Sequence, residues 1–369
     1  MAKSSGRLVS LDIFRGITVA FMIIVNNPGS WEFVYSPLKY SKWNGCTPAD
    51  LVFPFFLFIA GISAYYSLKK YGHEINGGSM TRIFRRTVTI FATGLFLTIF
   101  PYFIRDYSTL RIMGVLQRIA LAYGIGAIIC LTIKREYLWI IIAALLLIYW
   151  GLLAFFGGND PYSPEGNFAL KADVALFGKN HLYKGFGIPF DPEGILGTIP
   201  AVCTLIVGYF VGGMTVKRSA NGKTVLKIIL LGTAATGLGY IWNIIFPINK
   251  PLWTSSYVLY TAGIAMCFFS LIFLIADVLK FQVWGTFFRV FGTNALFSCF
   301  LSVIFTKMLL FIHVQSGTDK VTLYGWFYEK VCVAVAGNLK GSLMFGIIVM
   351  LLIWGVTLVF YRKKIMIRL

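Results

Sequence analysis

The sequence predicts an all-α polytopic membrane helix bundle of about ten spans, and three observations carry that expectation. Of the 369 residues 58% are hydrophobic, with mean hydropathy +0.77, well above the roughly 45–50% apolar usage of soluble domains. Runs of about 20 mostly apolar residues, the length that crosses about 30 Å of hydrocarbon, recur between short charged connectors. These runs are uninterrupted and lack the alternation of a barrel strand, so they suit helices, which satisfy their backbone hydrogen bonds internally.

Taken in order, the first run, Leu11 to Asn27, follows a basic flank and ends in the polar pair Asn26 and Asn27 before Pro28. The flank is like that of a signal peptide, but no small-residue cleavage pattern follows, and the segment is expected to be retained. Leu51 to Leu68 is led by Asp50, which reads as a helix-start residue able to accept free amides and to face the positive end of the helix dipole. Ile83 to Phe103, Gly114 to Ile133 and Tyr137 to Gly157 come next. Ile195 to Thr215 contains Gly208 and Gly212, a spacing that suits close helix packing. Leu226 to Ile248, Tyr257 to Leu279, Phe287 to Ile312 and Ser342 to Tyr361 complete the series. No polar linker divides the chain, so residues 1–369 are expected to form one domain. The longest connection, Gly158 to Gly194, is dense in turn formers and aromatics, which predicts an ordered, lid-like segment.

A formal charge of +19 raises the question of nucleic acid, but the basic residues are dispersed among short loops and form no single stripe, so no nucleic-acid partner is expected. Membrane orientation explains them: Arg7, Lys69, Lys70, Arg82, Arg85, Arg86, Lys134, Arg135, Lys217, Arg218, Lys223 and Arg362 to Lys364 fall on one side. By the positive-inside bias that side is cytoplasmic and holds both termini; a bacterial inner membrane is the expected location. The opposite side collects Glu32, Asp50, Asp106, Asp160, Glu165, Asp173, Asp191 and Glu193. Cys46, Cys130, Cys203, Cys267, Cys299 and Cys332 have no metal-type spacing; a Cys46–Cys332 disulfide is conceivable outside, but nothing in the sequence sets their separation.

Ionisable groups within or beside spans cost several kcal/mol unless paired or hydrated, so they mark candidate sites. Asp12 and Arg15 are three apart on one helix face, where they can pair. Asn26, Asn44, Thr47 and Asp50 gather on the outer side. Gln117 and Arg118 sit in the outer half of the fourth run, where the guanidinium needs a partner such as Asp50 or a bound anion. Asn243 and Asn294 line a polar cavity or serve as interhelical hydrogen bonders. The chain has no phosphate-binding Gly-rich loop and no His-Glu-x-x-His helix, and His73, His181 and His313 are scattered, so no metal is expected.

The stretches Arg7-Leu-Val-Ser-Leu-Asp12-Ile-Phe-Arg15-Gly16, Val25-Asn26-Asn27 and Trp43-Asn44-Gly-Cys-Thr47-Pro-Ala-Asp50-Leu-Val-Phe-Pro54 are followed, in order, by three more blocks. These are Gly114-Val-Leu-Gln117-Arg118, Phe190-Asp191-Pro-Glu193-Gly-Ile-Leu-Gly-Thr198 and Ile248-Asn249-Lys250-Pro-Leu-Trp253-Thr254. Together they resemble the membrane-embedded heparan-alpha-glucosaminide N-acetyltransferase family over nearly the whole chain. The resemblance implies transfer of an acetyl group from cytoplasmic acetyl-CoA, a cosubstrate, to the amino group of a glucosamine-type sugar across the membrane, and it is compatible with a homodimer. It implies catalytic roles for Asn26, the Tyr40 position and Asp50, and acceptor binding by Trp43, Asn44, Gln117, Arg118, Asp191, Glu193, Asn249, Lys250 and Trp253. Asp12, Arg15, Arg85, Arg86 and Lys134 are the inner-face groups expected to hold CoA, with its pantetheine arm passing between helices.

One departure stands out. Three residues before the tryptophan of the Trp-Asn-Gly block the family usually has a histidine, and this chain has Tyr40. An imidazole with pKa about 6.5 can take a proton at neutral pH, whereas a phenol with pKa about 10 stays protonated. Either another base such as Asp50 acts, or the chain is an altered or impaired relative, or the residue was exchanged to trap substrate. A transporter for an amino sugar or related small molecule is the alternative of a different class, although the two halves show no evident inverted repeat.

Overall fold

The computed structural model describes residues 8–103, 107–216, 220–317 and 319–366. Lys3, Arg7, Asp106, Lys217, Arg218 and Arg368 lie outside the described residues. Among the described residues the fold is all-α but for one small hairpin. Its helices are α1 (Val9–Asn26), α2 (Val52–Leu68), α3 (Gly77–Ile99), α4 (Val115–Thr132), α5 (Leu138–Phe156), α6 (Phe168–Phe177) and α7 (Thr198–Met214). They continue as α8 (Gly222–Trp242), α9 (Ser255–Phe273), α10 (Thr286–Thr293), α11 (Ala295–Phe311), α12 (Leu323–Phe327) and α13 (Ala334–Arg362). The hairpin β1 (His313–Ser316) and β2 (Asp319–Thr322) pairs antiparallel, His313 opposite Thr322.

Among the described residues seven helical segments are long and apolar enough to cross a membrane, eight if the bent pair of α10 and α11 is one span. The other two expected runs are α7, which has 17 residues, and α3, whose first half carries Arg82, Arg85 and Arg86. Helix α3 begins at Gly77, six residues before the expected Ile83, because Asn76 and Ser79 cap each other's backbone amides. Its apolar tail ends at Ile99, ahead of Pro101, and not at Phe103. The expected run Phe287 to Ile312 is corrected to two helices bent by 69°. Asn294 between them leaves helical geometry (φ −128°, ψ 40°), and its Nδ2 donates to the Ile365 carbonyl at 3.1 Å. The last helix starts eight residues before Ser342 and kinks at Gly337, whose φ of 72° lies in the left-handed region.

At the basic end of the bundle Asp277 accepts from the free amides of Val9 and Ser10 at 3.3 and 2.8 Å, capping α1 from a residue 267 positions away in the chain. The centre is the crossing of α2 and α7. A Cβ at Gly208 would lie 2.0 Å from the Phe58 carbonyl oxygen, so only glycine lets the two backbones meet. Around this crossing pack Leu57, Phe58, Ile62, Leu205 and Ile206, all fully buried. The opposite, acidic end is tied by loop contacts: Gly45 N–H donates to the Ile248 carbonyl at 2.7 Å, and Gly29 N–H to the Ser342 carbonyl at 3.1 Å. The long connection from Gly158 to Gly194 is ordered, holds α6, and packs on Trp43.

Candidate active site

Two polar regions occupy opposite ends of the bundle. At the acidic end Asp50 anchors the first. Thr47 and Asp50 form a capping box at the entry to α2, so its helix-start reading holds. The fully buried carboxylate accepts from Ser41 N and Thr47 N at 3.0 Å and from Thr47 Oγ1 at 3.1 Å through Oδ2. Its Oδ1 faces Lys250 Nζ at 3.2 Å. That corrects the expectation that Asp50 pairs with Arg118. The Lys250 ammonium also lies 3.7 Å from the centre of the Tyr40 ring, and Tyr40 donates its hydroxyl to Asn26 Oδ1 at 2.5 Å. Burial, with the charges of Asp50 and Glu193 nearby, pushes the Tyr40 phenol above its ordinary value, so it is a still poorer base than free tyrosine. Burial, again reinforced by Asp50, pushes the neighbouring Cys46 thiol up to about 12. Burial lowers Lys250 while Asp50 opposes the change.

The turn that presents Lys250 is tightly held. Asn249 Oδ1 accepts from Leu252 N at 2.7 Å, its Nδ2 donates to Asn44 Oδ1 at 3.0 Å, and its N–H donates to Thr254 Oγ1 at 3.0 Å. Trp253 closes this turn in the left-handed region (φ 55°) and is buried edge-on against Phe53 at 4.6 Å. The fully buried Arg118 guanidinium sits 5.3 Å from the Trp253 ring and donates to the Gly194 carbonyl at 2.7 Å. Arg118 therefore braces the Asp191–Gly194 turn from beneath, and Gln117, also buried, donates to the Ile112 carbonyl at 3.1 Å.

Asp191 and Glu193 are brought together by Arg111, a residue the sequence did not single out. Its guanidinium donates to both Asp191 oxygens at 2.8 and 2.7 Å and to Glu193. Burial works against the charge, but the hydrogen bonds that the guanidinium donates to Asp191, and the charge of Glu193, hold it above its ordinary value. The only sequence signal for Arg111 was a lone cation close before the Gln117-Arg118 block. Trp43 donates its indole N–H to the Tyr162 carbonyl at 2.8 Å and meets Phe186 and Phe190 edge-on at 5.6 and 5.3 Å.

The second region lies toward the basic end. Arg15 bonds Asp12 at 3.3 Å, the Gly292 carbonyl at 3.0 Å and Ser63 Oγ at 2.6 Å. Together with Arg82 and Arg86 it lines a cavity of about 390 Å³ between α1, α2, α3, α4 and α10–α11. Ser63 and Ser67 follow, then an apolar stretch with Phe56, Ile59 and Leu296, and the cavity reaches Val115 and Leu116 in the first turn of α4. Arg86 stacks 4.5 Å from the Tyr123 ring centre. Arg85 and Lys134 are exposed and lie outside this lining, whereas Arg82 is in it. Asn243 is spent on the Ile248 amide at 2.7 Å. The histidines stay apart: His73 bonds Tyr209, His181 bonds the Leu110 carbonyl, and His313 is exposed. All six cysteines, Cys46 and Cys332 included, are free thiols.

Comparison with known proteins gives this geometry a family. The model of the heparan-alpha-glucosaminide N-acetyltransferase catalytic region matches residues 7–239. Heparan-alpha-glucosaminide N-acetyltransferase of Mus musculus is 27% identical over 342 residues, covering 75% of this chain and 50% of that protein. The Homo sapiens protein of the same name is 28% identical over 337 residues, 74% of this chain and 49% of its own length. The chain thus spans about half the length of the curated relatives it matches. With the match covering more than half of a bundle whose helices are apolar enough for a bilayer, this membrane protein belongs to the heparan-alpha-glucosaminide N-acetyltransferase catalytic family.

Proposed function

We propose that the protein transfers an acetyl group from cytoplasmic acetyl-CoA to the amino group of a glucosamine-type sugar on the outer side of a bacterial inner membrane. One observation carries this reading. A cavity lined by Arg15, Arg82 and Arg86 at its basic end continues past apolar side chains to the first turn of α4. That sequence of charged and then apolar surface suits a phosphorylated carrier with an extended thioester arm. Guanidinium groups suit phosphate because they form forked, charge-assisted hydrogen bonds. At the other end Asn26, Tyr40, Asn44, Asp50 and Lys250 offer the polar surroundings that orient a sugar amine against the thioester carbonyl. Asp191 and Glu193, held by Arg111, and the aromatic wall of Trp43 stand around the same end.

The test is acceptor-dependent release of CoA thiol from acetyl-CoA by purified protein, with glucosamine and short amino-sugar oligomers as acceptors. Release is expected, and Arg86→Ala is expected to raise the KM for acetyl-CoA about tenfold, the loss of one charge-assisted hydrogen bond, with the acceptor KM unchanged. No release across a broad acceptor panel overturns the reading. A second reading, an impaired relative, is favoured by Tyr40 alone: tight acetyl-CoA binding without turnover, restored by Tyr40→His, identifies it. Acetyl-CoA-independent uptake of amino sugar into sealed vesicles identifies a transporter instead.

A further inference from the structure

We propose that Lys250 is a catalytic residue whose ammonium hydrogen-bonds the acetyl carbonyl oxygen as negative charge gathers there, so that transfer proceeds without an imidazole. This rests on the acetyl-transfer reading above and assigns the chemistry within it. The other charged groups of the outer cluster are paired or shut away from solvent. Asp50 Oδ2 accepts three donors and Oδ1 faces Lys250. The Tyr40 hydroxyl is given to Asn26. Arg111 is held by Asp191 and Glu193, and Arg118 is fully buried beneath the turn, its Nη2 on Gly194 and its Nε and Nη1 without hydrogen-bond partners among the described residues.

Lys250 differs from all of these. Its side chain is 20% exposed, and an ammonium has three N–H donors. The ion pair with Asp50 at 3.2 Å takes one side of the charge and the Tyr40 ring at 3.7 Å a second, which leaves a donor for a substrate oxygen. The Asn249 turn, pinned to Asn44, Leu252 and Thr254, fixes the lysine before substrate arrives. A donor fixed in advance in a water-poor site stabilises a developing oxyanion more than water does.

The step balances without another reagent. The sugar amine nitrogen attacks the thioester carbon, the new N–C bond forms, and the carbonyl π pair moves to oxygen, which accepts a hydrogen bond donated by the Lys250 ammonium. Collapse restores the carbonyl and breaks the C–S bond. The proton shed by the acetylated nitrogen goes to the departing sulfur, giving an amide and free CoA thiol, and Lys250 ends as it began. Burial lowers the lysine's pKa against the pull of Asp50, so the cation, and with it turnover, fades at a lower pH than for a free lysine.

The experiment compares wild type, Lys250→Met, Lys250→Arg and the double variant Asp50→Asn/Lys250→Met in the thiol-release assay. The double variant removes both charges, and the carboxamide oxygen introduced by Asp50→Asn still accepts from the Ser41 and Thr47 amides. It therefore tests the case in which Lys250→Met alone fails to fold. Expected is a fall in kcat of about 10²–10³-fold for Lys250→Met and for the double variant, with the KM for acetyl-CoA unchanged. Partial activity in Lys250→Arg, with its alkaline limb moved to higher pH, is expected as well. Wild-type kcat in the double variant overturns the assignment, because Lys250 then only neutralises Asp50. Absence of transfer by wild type overturns the acetyl-transfer reading and this assignment with it.

Discussion

Asp173 shows how one residue under the outer segment can couple that segment to pH. Its Oδ1 accepts from the Ile195 amide at 2.9 Å, and a Cβ at Gly194 would lie 1.7 Å from its Oδ2, so the carboxyl is pressed into the turn that also carries Asp191 and Glu193. Burial raises it from 3.8 to about 7, partly offset by the Ile195 amide and Arg118, with Asp191 adding to the rise. A native pKa above the unfolded one means that the folded state holds a proton the unfolded chain has lost between those values. The stabilisation is therefore complete below about pH 4 and is lost as pH rises through about 7, by about 4 kcal/mol at most. Thermal unfolding in detergent is expected to show higher stability near pH 5 than near pH 8, and Asp173→Asn is expected to flatten that dependence. An unchanged slope in the variant assigns the pH effect elsewhere.

Among elements, the α2–α7 crossing is the most sensitive. A side chain at Gly208 meets the Phe58 backbone, which cannot swing aside as a side-chain tip can. Gly208→Leu is expected to part the helices and cost about 3 kcal/mol or more. The measurement is the fall in thermal midpoint, with Gly222→Ala, where nothing lies within 4 Å, as the tolerated control. Because the Arg-lined cavity uses Ile59, Ala60 and Ser63 of α2, the same variant is expected to weaken acetyl-CoA binding even where it still folds.

For the whole molecule, the proposed acetyl transfer makes orientation decide which substrate meets which end. Lys39 is exposed beside the Tyr40 cluster, and Lys223 is exposed in the first turn of α8 at the other end. In a Cys46→Ser background Lys39→Cys is expected to react with an impermeant maleimide in intact cells, and Lys223→Cys only after permeabilisation. The reverse pattern inverts the orientation and places the arginine-lined mouth away from cytoplasmic acetyl-CoA. The arginine-lined cavity toward one end and the acidic loop cluster at the other are what would make the sidedness a functional matter.

The sequence by itself determined the membrane class, the approximate runs that became α1, α2, α4, α5, α7 and α9, the capping role of Asp50 and the Asp12–Arg15 pair. These are local properties: apolar length, helical spacing and the residue types that satisfy a helix start are written in consecutive residues. Tertiary structure decided the rest. It paired Asp50 with Lys250 where Arg118 was expected, placed Arg111 on Asp191 and Glu193, and put Asp277 on the start of α1. It also broke the Phe287 to Ile312 run at Asn294 and chose Arg82 over Arg85 for the cavity wall. Each such choice joins residues tens to hundreds of positions apart, and which cation meets which carboxylate depends on how helices cross and rotate, a property of packing that no single stretch of chain encodes.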